Sequence, residues 1–212
     1  MKWLCVAVAY AAGSIPTGYW LGKAWKGIDV RQHGSGNLGA TNVFRVLGAG
    51  PGSITLAVDI LKGLLPVLWC RNHFPADISL AMAVGVAAIT GHTTSLFVHF
   101  RGGKGVATSA GVFAALLPGP FLAAISVFIV ALIISRIVSI SSILAALTLA
   151  GVSLVWSPAP LMTGFAAGVA LWIIWRHRSN IGRLLQGEEP RILFSSRRTP
   201  PEGTPGNSYD IK

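Results

Sequence analysis

The chain has 212 residues, 52% of them hydrophobic and 11% charged, with a formal net charge of +10. A soluble domain carries roughly a quarter of its residues charged; here Lys2 to Lys23, Asp77 to Arg101, Lys104 to Arg136 and Arg136 to Arg176 each enclose charge-free sequence, which excludes an ordinary water-soluble fold. The basic residues fall in the loops between these runs rather than in an aromatic-laced patch or arm, which excludes nucleic acid as a partner.

Crossing a bilayer takes about 20 apolar residues, and hydrocarbon obliges each crossing segment to satisfy its own backbone as a helix. The first span is expected at about 3–22. Lys2, the apolar run and Ala9-Tyr10-Ala11 have the outline of a signal peptide. Apolar character continues to Leu21, however, and Lys23, Lys26 and Arg31 follow, so a retained transmembrane helix is the better reading. The second span, about 53–71, contains Asp59 and Lys62; the third covers about 78–98. Pro118-Gly119-Pro120 divides the next long run into spans near 104–117 and 121–136, because proline ends a helix at or before its predecessor. Ser157-Pro158-Ala159-Pro160 divides the last run into 138–156 and 160–175.

The predicted fold is therefore an all-α integral membrane bundle of seven transmembrane helices. Seven spans place Lys23, Lys26, Arg31, Arg45, Arg101, Lys104, Arg136 and every basic residue from Arg176 onward on one side, against Lys2 and Arg71 on the other. The positive-inside rule then puts the N-terminus outside and the C-terminus in the cytoplasm. A membrane domain is expected over 1–192, followed by a disordered cytoplasmic tail, 193–212, rich in Pro, Gly, Arg, Ser and Thr. Cys5 and Cys70 lie in separate apolar runs, and neither a disulfide framework nor a metal spacing exists. No metal or cofactor is expected.

Three polar clusters stand at the cytoplasmic ends of these runs. Gly34-Ser35-Gly36-Asn37-Leu38-Gly39 matches G-x-G-x-x-G, but no strand precedes it and the dinucleotide reading fails. Adjacent glycines can still aim backbone N–H groups at an anion, Thr41 and Asn42 read as helix-starting residues, and Arg45 lies three residues on. The alternative is a loop whose glycines only make turns. Gly102-Gly103-Lys104-Gly105 is not a Walker A loop, because Val98 and Gly105 occupy its required Gly and Ser/Thr positions. A lysine among glycines is nonetheless a phosphate contact, unless Arg101 and Lys104 merely anchor a helix end at the headgroups. Arg176-His177-Arg178-Ser179-Asn180 follows the last span, with His177 and Asn180 able to share a helix face. His92, before Thr93 and Thr94, is either a structural hydrogen-bonder or a catalyst. Asp59 and Lys62 are costly in a span unless they pair at i, i+3, or line an ion path. Arg136 with Ser139, Ser141 and Ser142 is either a helix cap or a fourth wall of the site.

Ser35-Gly36-Asn37-Leu38-Gly39-Ala40-Thr41-Asn42, Gly91-His92 with Phe97, Phe100 and Gly102-Gly103-Lys104-Gly105-Val106-Ala107-Thr108, and Arg176-His177-x-x-Asn180-Ile181-x-Arg183-Leu184-x-x-Gly187-x-Glu189 resemble the three motifs of one family. It is the bacterial membrane acyl-phosphate:glycerol-3-phosphate acyltransferases (PlsY). Gly13-Ser14-Ile15-Pro16-Thr17-Gly18 and Asp59-x-x-Lys62-Gly63 are similar to it as well, and the likeness runs from about residue 10 to 192. The resemblance implies seven transmembrane helices in the bacterial cytoplasmic (inner) membrane, with the active site facing the cytoplasm. It implies transfer of a fatty acyl group from acyl phosphate to the sn-1 hydroxyl of glycerol 3-phosphate. The products are lysophosphatidic acid and phosphate, early in phospholipid synthesis, which links the chain functionally to an enzyme that makes acyl phosphate. A transporter or flippase for a phosphorylated metabolite is the competing reading, suited by basic pockets and Asp59/Lys62; it would require a polar path across the membrane.

No histidine here has aspartate five positions later, the pairing used by related glycerolipid acyltransferases, and no carboxylate lies in the clusters judged to bind substrate. The donor's own phosphate is therefore the expected proton acceptor, with His177 orienting the acceptor or serving as an alternative base. Ser35, Lys104, His177 and Asn180 are assigned to catalysis; Gly36, Asn37, Gly39, Thr41, Asn42, Arg45, His92, Gly102, Gly103 and Ser142 to substrate binding. Within that set, the 35–42 backbone with Ser35 and Asn37 is expected to hold the donor headgroup. Arg45, Lys104, Ser142, His177 and Asn180 are expected to hold glycerol 3-phosphate.

Overall fold

The computed structural model describes residues 2–156 and 159–192. The expected disordered tail, 193–212, and Ser157-Pro158 of the last predicted break lie outside the described residues. Among the described residues there are ten α-helices and no strand: α1 Lys2–Ser14, α2 Thr17–Lys26, α3 Ala40–Leu47, α4 Ala49–His73, α5 Ile78–Thr93, α6 Val106–Leu116, α7 Pro118–Ser135, α8 Val138–Trp156, α9 Pro160–Arg176 and α10 Arg178–Leu185. Five stretches are long and apolar enough to cross a membrane: Lys2–Lys26, Ala49–His73, Ile78–Val98, Pro118–Ser135 and Val138–Trp156. Val106–Leu116 and Pro160–Arg176 are apolar but shorter, so helices stand at all seven expected places while five have full spanning length.

The Pro118-Gly119-Pro120 break falls where the sequence puts it, with α6 ending at Leu116 and Pro118 opening α7. The first span departs from expectation. It was expected as one helix over about 3–22 but breaks between Ser14 and Thr17, because Pro16 has no N–H to donate and its ring obstructs the preceding turn. Two groups from elsewhere satisfy the carbonyls beside the break: Ser95 Oγ donates to Ser14, and Lys62 Nζ donates to Ile15 at 3.0 Å.

Small residues let the central helices approach closely, the usual device where lipid competes with apolar packing. On α1 and α5, a Cβ at Gly13 would sit 2.2 Å from the Ala88 carbonyl oxygen, and one at Gly91 would sit 2.2 Å from that of Tyr10. On α4 and α6, Gly63 meets the Thr108 carbonyl and Gly111 that of Ile60 in the same way. The main core runs through Val67, Val84, Ala88, Val112, Phe113, Ala166 and Ile173. By contrast α7 buries only Pro120 and Ala124, and Ile134 remains 77% exposed, a surface suited to lipid. A separate small core of Val30, Leu38, Val43, Leu47 and Val98 sits beneath the loops that follow α2 and α5, and it fixes their relative placement.

Candidate active site

The loop between α2 and α3 is organised from within. Asp29 accepts from the Arg31 backbone N–H at 3.0 Å and from its guanidinium at 2.7 Å, which holds its carboxyl below the usual range and caps the short 3-10 turn Val30–Gln32. Asn42, on α3 and 1% exposed, is the hub. Its Nδ2 donates to the carbonyls of Val30 (3.0 Å), His33 (3.1 Å) and Asn37 (2.9 Å), and its Oδ1 accepts from the Ser35 N–H at 2.8 Å. Gly34 and Gly36 take φ of +60° and +69°, which L side chains rarely adopt, and so turn the chain around this amide.

This differs from the expected backbone cradle. The N–H groups of Ser35, Gly36 and Gly39 donate to Asn42 Oδ1, the His33 carbonyl and Asn37 Oδ1 respectively. What the loop presents outward is the Ser35 hydroxyl and the Asn37 amide N–H₂. Asn42 shapes the loop instead of facing a ligand. Thr41 lies half-buried in the first turn of α3 and Arg45 on its exposed side, close enough for its charge to act on Lys104.

The second loop folds back on the end of α5. Gly102 N–H donates to the Thr93 carbonyl at 3.2 Å and Gly103 N–H to that of His92 at 3.0 Å, so these amides too are spent internally. His99 and Phe100 hold positive φ of 56° and 60° to make the reversal, and Gly105, at +87°, starts α6. A Cβ on Gly103 would lie 2.2 Å from His92 Nε2, and one on Gly102 would lie 2.0 Å from the His92 carbonyl oxygen. The two glycines are required by close packing on His92. Arg176 Nη2 donates to the Gly103 carbonyl at 2.7 Å, fastening the loop to the end of α9.

The third cluster closes the site. Lys104 Nζ donates to Asn180 Oδ1, and Asn180 Nδ2 donates to Glu189 Oε1. The same Glu189 oxygen accepts from Ser139 Oγ at 2.8 Å, while Oε2 accepts from Arg183 Nε at 2.8 Å. Glu189 reaches this position because Gly187, at φ +74°, reverses the chain after α10, and Ile192 N–H then pairs with the Arg136 carbonyl at 2.7 Å. Burial would raise the Glu189 pKa, but the bonds from Asn180, Ser139 and Arg183 and the Arg183 charge outweigh it and keep the carboxylate ionised. The expectation that no carboxylate stands near the substrate clusters therefore fails: Glu189 lies directly behind Asn180. Its visible signal was Gly187-x-Glu189 after Asn180, where a glycine marks a reversal.

Ser35, Gly36, Asn37, Gly102, Lys104, Ser179, Asn180 and Arg183 line one cleft of about 120 Å³. Ser35, Lys104 and Asn180, three of the four residues assigned to catalysis, meet there, and Ser179 and Arg183, which belong to the third cluster and motif but carried no assigned role, join them. Desolvation lowers the Lys104 pKa to about 8, with Glu189 opposing and Arg183, Arg176 and Arg45 adding to the depression. His177, 2% exposed, approaches as a charge neighbour of Lys104 but does not line the cleft. Its Nδ1 stands 2.8 Å from the Ile173 carbonyl, which can only accept, so Nδ1 carries the proton and Nε2 the lone pair. Burial and the Lys104 charge push its pKa down to about 4, which makes the ring neutral at pH 7.

Of the assigned binders only Gly36, Asn37 and Gly102 line the cleft, and Ser142 and His92 are engaged elsewhere. Ser142 Oγ donates to the Val138 carbonyl at 2.8 Å inside α8, away from the cleft. His92 lies under the second loop and lines a separate crevice of about 10 Å³ with Asp59 and Lys62. Among the described residues no group of His, Cys, Asp and Glu is suited to a metal ion.

A family model described as glycerol-3-phosphate acyltransferase matches residues 3–187. A glycerol-3-phosphate acyltransferase of Listeria monocytogenes is 49% identical over 191 residues, covering 88% of this chain and 94% of its own length. One from Thermosynechococcus vestitus is 44% identical over 198 residues, covering 89% and 94%. Among solved structures, the integral membrane glycerol 3-phosphate acyltransferase PlsY in its glycerol 3-phosphate form superposes with a TM-score of 0.86 at 38% identity, over 90% of this chain and 95% of that one. Its lysophosphatidic acid form gives 0.83 at 38% identity.

Proposed function

We propose an acyl-phosphate-dependent reaction for this chain, which belongs to the glycerol-3-phosphate acyltransferase family and is a multi-pass membrane enzyme. It acylates glycerol 3-phosphate. The donor is an acyl phosphate, the acceptor atom is the sn-1 hydroxyl oxygen, and lysophosphatidic acid and inorganic phosphate leave. The relative crystallised in glycerol 3-phosphate and lysophosphatidic acid forms supports the acceptor and product. One observation carries the site: a single cleft takes its walls from residues 35–37, from Gly102 and from Ser179, Asn180 and Arg183, with one largely desolvated lysine, Lys104, among them.

In the reaction the hydroxyl oxygen attacks the acyl carbon, the carbon–oxygen bond to phosphate breaks, and the hydroxyl proton passes to a phosphate oxygen. A mixed anhydride has a good leaving group, so positioning and charge stabilisation are the main tasks. The Ser35 hydroxyl and Asn37 amide hold the donor's phosphate on one side of the cleft, and Lys104, on the other, faces the phosphate of glycerol 3-phosphate. Asn180, fixed by Glu189, keeps the Lys104 ammonium aimed into the cleft. Arg45 and Arg183 add positive field for the acceptor's phosphate. His177, a buried neutral neighbour of Lys104 outside the cleft lining, supports that end of the site from behind. Its low pKa makes it a weak base at pH 7, which favours the donor phosphate as proton acceptor. Glu189 does not take that role, because both its oxygens already accept hydrogen bonds.

Seven crossings put the cleft-forming loops on the cytoplasmic face of a bacterial inner membrane, with the N-terminus outside. Basic residues concentrated on that side support this orientation. The shorter α6 and α9 complete their crossings with flanking loop residues. The clustering of polar groups at one end favours the enzyme over a transporter. Supplying palmitoyl phosphate, palmitoyl-CoA and palmitoyl-loaded acyl carrier protein in turn with labelled glycerol 3-phosphate tests the donor. Lysophosphatidic acid should form from the acyl phosphate and fall to background with the thioesters; equal rates from a thioester would overturn this donor.

A further inference from the structure

Three ionisable groups lie together in the bundle, and the cleft chemistry uses none of them. Asp59 and Lys62 on α4 form an ion pair at 2.8 Å, with both side chains at most 5% exposed. His92 Nδ1 on α5 stands 3.6 Å from the same Asp59 oxygen. Charge inside a span is costly and marks function by default. A polar path across the membrane is one use, but the adjoining crevice, about 10 Å³, holds roughly one water. The groups connect instead to two irregular segments of backbone. Lys62 Nζ donates to the Ile15 carbonyl at the α1/α2 break. His92 accepts the Gly103 N–H on its carbonyl and carries the Gly103 Cα against its Nε2. Lys104 is the next residue.

We propose that Asp59, Lys62 and His92 are positioning residues: the buried pair fixes the His92 ring, and that ring and its carbonyl set the height of the Gly102-Gly103-Lys104 loop over the cleft. The carboxylate faces Nδ1 across 3.6 Å, an electrostatic contact beyond hydrogen-bond length, on one edge of the ring, and Gly103 rests on the other. Lys62 neutralises Asp59, and by satisfying Ile15 it ties the bent first span to α4. Ser95 ties the same break to the end of α5 by donating to Ser14. A buried pair of this kind is weak as a source of net stability. Its value here is geometric, since a displacement of about 1 Å in a positioned group costs up to about 100-fold in rate.

The kinetic part rests on the acyltransferase reading; the structural part does not. The test uses the full-length protein in lipid nanodiscs, with hydrogen exchange by mass spectrometry over residues 99–106 and steady-state kinetics in glycerol 3-phosphate. Asp59→Asn alone strands the Lys62 charge, so it is paired with Asp59→Asn/Lys62→Gln, which removes both charges and keeps a donor for Ile15. In the double variant, exchange over 99–106 should rise about tenfold while α4 and α5 exchange as in the wild type. The KM for glycerol 3-phosphate should rise roughly 10- to 100-fold. Wild-type exchange at 99–106 with unchanged KM would overturn the proposal, leaving the pair only a packing role. Loosening of α4 and α5 together with the loop would overturn it equally. A wild-type protein that makes no lysophosphatidic acid would sink the acyltransferase reading, while the exchange result would still decide the positioning role.

Discussion

Replacing Asn42 by alanine removes two amide hydrogens shared among the carbonyls of Val30, His33 and Asn37 and one oxygen that accepts from Ser35. Neutral hydrogen bonds contribute about 1 kcal/mol each, and a stranded buried partner costs more. The carbonyls of His33 and Asn37 are near enough to solvent to regain water in part, so a loss of roughly 2–3 kcal/mol in loop order is expected. Ligand-binding loops lie at the low end of local stability, so this loss becomes an open population. It corresponds to about 30- to 150-fold in kcat/KM. Hydrogen exchange over residues 30–42, measured beside acyl transfer in the same preparation, checks both halves. Activity within threefold of wild type would refute the reasoning; a large KM change with unchanged exchange would refute it as well and restore Asn42 as a direct ligand.

Lys104 has its pKa lowered from 10.5 to about 8, so the free enzyme loses this cation as pH rises through 8. The plot of kcat/KM should fall above about pH 8, and Lys104→Arg should move that limb beyond pH 10; an unmoved limb would assign it to another group. Glu189→Gln keeps the shape but replaces one accepting oxygen with N–H₂ among three donors, at about 1.5–3 kcal/mol for bonds to a charged group. Its kcat/KM should fall roughly 10- to 150-fold with faster exchange over 178–192; wild-type activity would contradict the anchoring of Asn180 by Glu189. His177→Gln should retain turnover, reduced by no more than about 30-fold, the size of one disturbed buried hydrogen bond behind Lys104. Complete loss with intact substrate affinity would make His177 the base.

Much of the architecture was legible because proline and charge are local signals. Pro118 and Pro120 located the α6/α7 break, and the apolar runs located the helices. Pro16 is the same kind of signal, but the surrounding apolar run masked it. That break is affordable only because Lys62 and Ser95, distant in sequence, reach its carbonyls. The site was legible as residue types and less so as roles. Asn42 and Gly103 read as ligand contacts because amides and glycines suit anions, yet here they bond to carbonyls of the same or the preceding segment and shape the loops, while Gly102 does both, lining the cleft as well. Glu189 escaped assignment because only the turn at Gly187 returns it to Asn180.

The most direct measurement is phosphate release from palmitoyl phosphate by the purified, lipid-reconstituted protein, with and without glycerol 3-phosphate. Release that requires the acceptor, yields lysophosphatidic acid in equal amount and disappears in Lys104→Ala is the predicted result. No release, with glycerol 3-phosphate instead accumulating inside the vesicles, would contradict the enzyme and establish a transporter.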